Sequence, residues 1–170
     1  MGMNCTRGIL LGSLLLAMCA EARIGETAKQ LEARFGKGRP MQQHVTKPPT
    51  THGFLFYRPK VVVWAYFIDK RCTRISYNFK GYLKKETALR LLKLNGKLWL
   101  DMGATRADGK TDGPKPEGRW RTKDGRVHAE RWKNTMLFRT KEHLAAELAI
   151  RRKAEAEKLR KKNEDPLKGF

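Results

Sequence analysis

The sequence predicts an α+β fold: two helix–strand–strand units with antiparallel sheet, followed by a basic C-terminal helix. Three observations predict it. Glu26-Thr27-Ala28-Lys29-Gln30-Leu31-Glu32-Ala33-Arg34-Phe35-Gly36-Lys37 returns in altered form at Glu86-Thr87-Ala88-Leu89-Arg90-Leu91-Leu92-Lys93-Leu94-Asn95-Gly96-Lys97, an offset of 60 residues. Between the copies, Ile75, Tyr77 and Phe79 alternate with Arg74, Ser76 and Asn78, the period of a strand with one wet face. After the second copy, Asp124-Gly125 separates two strand-like runs, a hairpin signal.

The chain opens on an export signal. One basic residue, Arg7, precedes the apolar run Ile9 to Ala20, and Ala20-Glu21-Ala22 places small residues around a cut after Ala22. The run is shorter than the roughly 20 residues of a membrane span. Residues 1–22 are therefore expected to be a signal peptide. Leu16-Ala17-Met18-Cys19 leaves a second option, a lipoprotein signal acylated on Cys19, although Met18 is large for that position. The cut removes Cys5 and Cys19 and leaves Cys72, so the mature chain has no internal disulfide or cysteine redox pair.

Residues 23–150 are expected to form a single α+β domain, with repeats at 24–80 and 84–140. In the first copy Ile24, Ala28, Leu31 and Phe35 share one helical face. Thr27 with Gln30 fits a capping box, and Gly36 fits a helix stop. In the second copy Leu91, Leu94 and Leu98 carry the stripe and Asn95-Gly96 ends it; Arg90 stands where Gln30 stood, so that capping box is lost. Met41 to Gly53, with Pro48-Pro49, reads as a loop. Phe54 to Tyr57 and Lys60 to Ile68 read as strands, the second apolar on both faces and so covered on both. Cys72 to Phe79 follows, and Asp101 to Gly118 reads as a loop. Arg119 to Thr122, Arg126 to Trp132 and Asn134 to Thr140 complete the sheet.

Lys141 to Lys162 reads as a final helix that docks at its start through Leu144, Leu148 and Ala145 and projects at its end. Glu147 with Arg151 and Glu157 with Lys161 are spaced as i,i+4 pairs. Residues 151–170 are expected to form a basic helical tail.

The motifs Gly25-Glu26-Thr27-x-x-Gln30-x-Glu32-Ala33-Arg34-Phe35-Gly36-Lys37, Leu91-Leu92-x-x-Asn95-x-x-x-Trp99 and Trp120-x-x-x-Asp124-Gly125-Arg126-x-x-Ala129 resemble those of small exported bacterial proteins of unknown function. More distantly, a helix ending in Gly-Lys before a sheet is similar to the SmpA/OmlA (BamE-type) envelope proteins. Those carry a Pro soon after Gly-Lys, whereas Pro40 here follows Gly38 and Arg39. The first resemblance implies export and the second an envelope location, and the first brings no catalytic residues.

The chain shows no catalytic or metal constellation. His44, His52, His128 and His143 have no metal-pair spacing, Ser76 has no nucleophile elbow, and Asp101, Asp108, Asp112 and Glu117 lack calcium-loop spacing. No cofactor is expected, and the expected role is non-enzymatic. Net charge is the strongest functional signal, at +20 with 37 Lys and Arg against 17 Asp and Glu. Export removes Arg7 and Glu21 and leaves that balance unchanged. Such a charge favours anionic partners. Arg151, Arg152, Lys153, Lys158, Arg160, Lys161 and Lys162 concentrate it against two acids, Glu155 and Glu157, and are the expected anion-binding residues.

The reading that follows is an exported module of the periplasm or cell envelope that binds or scaffolds an anionic surface or another envelope protein. The alternative is a nucleic-acid-binding protein, since Arg119-Trp120-Arg121 and Arg126 to Lys133 interleave basic and aromatic residues. Strand alternation, however, turns Trp120 inward if Arg119 and Arg121 face water.

Overall fold

The computed structural model describes residues 23–43, 46–103 and 115–164, with the side chains of the final helix followed to Lys161. The expected signal peptide, Cys19, His44 and most of the Asp101–Gly118 loop lie outside the described residues.

Helix α1 (Ala28–Phe35) forms where the sequence places it. Thr27 accepts a hydrogen bond from the Gln30 backbone N–H, and the Gln30 side chain accepts one from the Thr27 N–H, a closed capping box. Gly36 ends the helix at φ 74°, a conformation that favours glycine. Strands β1 (Arg39–Pro40), β2 (His52–Tyr57), β3 (Val61–Ile68) and β4 (Arg71–Phe79) follow. Helix α2 (Lys85–Asn95) comes next, then β5 (Trp99–Asp101), β6 (Gly118–Thr122), β7 (Val127–Arg131), β8 (Thr135–Thr140) and helix α3 (Lys141–Glu164).

The two expected helix–strand–strand units do not form. The eight strands make one antiparallel sheet in the order β1-β2-β3-β4-β8-β7-β6-β5. The last strand of each half meets the other at its centre, with Ser76 opposite Leu137. Helices α1 and α2 are each followed by four strands, the three read from the sequence in each half and one short edge strand, β1 or β5. The molecule is thus mostly sheet, with a C-terminal helix.

One face of the sheet holds the core. Leu31 and Phe35 of α1 pack with Phe56, Val63, Ala65, Phe67, Ile75 and Tyr77, and Ala88, Leu91 and Leu92 of α2 with Ala129, Met136 and Phe138. The apolar stripe of α2 differs from the expected one. Leu91 is buried, but Leu94 is only half-buried, and Leu98 is 72% exposed at φ 51°. The helix ends at Asn95, so Leu98 lies beyond it, and Ala88, Leu92 and Asn95 complete the buried face. Asn95 accepts from the Ile24 N–H at 3.1 Å and donates to the Leu91 carbonyl, tying the entry to α1 to the end of α2.

The opposite sheet face carries the alternate residues, Arg74 on β4, Leu137 and Arg139 on β8, His128 and Glu130 on β7, and Arg119 and Arg121 on β6. Part of this face lies under α3. A β-bulge after the Tyr66–Arg74 pair leaves Thr73 unpaired, because Cys72 and not Thr73 meets Phe67. The Thr73 hydroxyl lies 3.0 Å from His143 Nδ1.

Candidate functional site

Thr140 ends β8 and starts α3: its hydroxyl accepts from the His143 N–H at 3.1 Å. The helix then docks through polar groups rather than through the expected Leu stripe. His143 is fully buried, whereas Leu144 and Leu148 are half-buried and Ala145 is exposed. His143 Nε2 lies 3.1 Å from Glu147 Oε1. A carboxylate only accepts, so Nε2 carries the proton and donates.

Glu147 also takes Arg74 and Arg139, each at 3.3 Å. Further along the helix, Arg151 lies 3.9 Å from Glu155. Arg139 reaches onward to Glu130 at 2.9 Å, and Arg119 approaches Glu130 at 3.8 Å. Partial burial alone would raise the Glu147 carboxyl. The His143 hydrogen bond and the charges of Arg139, His143 and Arg74 outweigh it and hold the carboxyl down at about 2. His128 is shifted down as well, by burial first and then by Arg121, Arg139 and Arg119.

Beside the network lies a groove of about 600 Å³ between α3 and the outer face of β7 and β8. His128, Glu130, Trp132, Leu137 and Arg139 line it from the sheet side, and Lys141, Leu144, Ala145, Leu148 and Arg151 from the helix. Sequence reasoning missed this groove, since its walls come from separate segments that meet only through the β7–β8 pairing and the return of α3.

The expected anion-binding residues all lie on α3. Arg151 is half-buried at the groove, and every residue from Arg152 to Lys161 is exposed. Lys161 pairs with Glu157 at 3.0 Å, as their spacing predicts. Of the basic–aromatic strip of the alternative reading, His128, Glu130 and Trp132 share the groove with Arg151, and the rest lies on or beside β6 and β7. There, Trp120 packs against the core and Arg119 turns to Glu130 on the opposite face.

Cys72 is fully buried, and burial pushes its thiol up to about 12, the reverse of a reactive thiolate. Among the described residues no three His, Cys, Asp or Glu side chains cluster as a metal site, and no helix is long and apolar enough to cross a membrane.

No family model and no curated protein matches the chain. Among solved structures, it is similar to a cysteine-rich secretory protein from Staphylococcus aureus, at TM-score 0.41 and 14% identity. That likeness covers 72% of this chain and 46% of the other, so the chain spans under half of that protein's length. The similarity to SmpA/OmlA proteins rests on the quoted residues alone.

Proposed function

We propose that this chain is an exported, non-enzymatic binding module of the cell envelope that holds anionic surfaces through the second half of α3. One observation carries the reading. The helix is docked as far as Leu148 and then exposes every described side chain from Arg152 to Lys161, where basic residues predominate. Burial in this domain does not account for that charge. A projecting basic helix meets phosphate or carboxylate groups without a shaped pocket, so its recognition is broad and electrostatic.

Export rests on the apolar run Ile9 to Ala20 and Ala20-Glu21-Ala22. Mass spectrometry of the mature N-terminus tests it: the chain should begin at Arg23, and an intact Met1 on cytoplasmic protein would overturn export. Binding is tested by co-sedimentation with vesicles containing phosphatidylglycerol. A variant with Arg152, Lys153, Lys158, Arg160 and Lys161 changed to Gln should keep the wild-type melting profile and lose vesicle binding by about tenfold or more, since each surface cation is worth about 1 kcal/mol. Equal binding by the two proteins would remove the role assigned to α3.

A further inference from the structure

The groove beside α3 is separate from the exposed half of that helix. Its floor is graded. His128 faces Arg139 across the β7–β8 ladder, Glu130 faces Leu137 two pairs further on, and Trp132 follows beyond the end of β7. Lys141 and Arg139 sit at the His128 end, Arg151 lines the groove from α3, and Trp132, Leu137, Leu144 and Leu148 supply its apolar wall. Two of its acids are already engaged, Glu130 by Arg139 and Arg119 and Glu147 by Arg74, Arg139 and His143. The exposed Lys141 ammonium at the groove therefore meets an incoming anion without a competing uncompensated carboxylate in the lining.

The backbone around the groove decides what fills it. β7 lies between β8 and β6, and β8 lies between β4 and β7, so both strands are paired on both sides. The third wall is a helix, whose backbone bonds to itself. An extended peptide laid in the groove would find no strand edge to extend, and its N–H and C=O groups would lose water without gaining partners. An acyl chain has no such groups to satisfy. The volume lies within the roughly 300–1,000 Å³ of ligand sites. From His128 to Trp132 the strand advances roughly 13 Å, about the length of a ten- to twelve-carbon chain.

We propose that this groove binds a single-chain fatty carboxylate, its tail along Trp132, Leu137, Leu144 and Leu148 and its head at Lys141 and Arg139. A singly charged head suits the site, because of the three lysine and arginine side chains in the lining Arg139 already serves two carboxylates and Arg151 lies 3.9 Å from Glu155, which leaves the exposed Lys141 for the head.

The test is calorimetric titration of the full chain with dodecanoate below its micelle concentration, beside dodecanol and a short apolar peptide ending in Asp. Dodecanoate should bind saturably at one per chain, and dodecanol about tenfold more weakly for want of one ion pair. Ala145→Trp places a ring in the groove from an exposed position and should weaken dodecanoate by about tenfold or more with the melting profile unchanged. Lys141→Glu should weaken dodecanoate and leave dodecanol as it was. The Gln variant at Arg152, Lys153, Lys158, Arg160 and Lys161 should bind dodecanoate like wild type, which separates this site from the surface-binding role of α3. Three results would each overturn the proposal: no saturable binding, equal binding by Ala145→Trp, or tighter binding of the peptide than of dodecanoate.

Discussion

Glu147 is the residue on which the docking of α3 turns. It accepts from His143 on its own helix and from Arg74 and Arg139 on the sheet. Removing its charge leaves two guanidinium groups and a buried imidazole around a neutral side chain. Glu147→Gln should therefore cost about 1–3 kcal/mol at neutral pH, as loss of hydrogen bonds to a charged group does. The sign of the pH dependence follows from the depressed carboxyl. Its contribution is complete above the ordinary value of 4.5 and is lost as pH falls from there toward about 2. Urea denaturation of both proteins across that range should show their stabilities converging as acid is added. A constant difference across the range would mean that Glu147 is not held ionised by its partners.

At the scale of elements, Leu31 on α1 and Leu91 on α2 occupy matching places in the recurring stretch and are both buried in the core. Truncating either to Ala should cost roughly 2–5 kcal/mol, measured by denaturant unfolding. Losses too small to measure at both positions would contradict the assignment of the two core faces. What the sequence disclosed at this scale was local. The capping box at Thr27, the alternation through Ile75, Tyr77 and Phe79, and the turn at Asp124-Gly125 are each written within a few residues, and each forms. The two- and three-residue strands β1 and β5 are too short to carry a period, so the sequence does not mark them as strands. The pairing of β4 with β8 joins Ser76 to Leu137 and leaves no local trace, which is why two separate units were expected in place of one sheet. The docking face of α3 was missed for another reason. Amphipathic reasoning looks for apolar stripes, whereas this helix docks through His143 and Glu147, side chains that a sequence reading assigns to water. Of the candidate sites, the basic half of α3 was legible because charge is visible in composition, while the groove depends on tertiary contacts.

For the molecule as a whole, the sheet divides the work between its faces. One face buries the core beneath α1 and α2; the other carries the arginine–glutamate network, the groove and the docked start of α3. Beyond Leu148 the helix presents its charge to the surroundings, in a chain whose formal net charge is +20. If that projecting half is the binding element, affinity for an anionic surface must come from surface potential, and salt must weaken it. The most direct measurement is the affinity of the full chain for phosphatidylglycerol vesicles across a salt series from about 0.05 to 0.5 M, a range over which the screening length shortens several-fold. The account predicts a steep fall in affinity with salt, and a much shallower one for the variant with Arg152, Lys153, Lys158, Arg160 and Lys161 changed to Gln. Affinity indifferent to salt, or the same slope for both proteins, would contradict it.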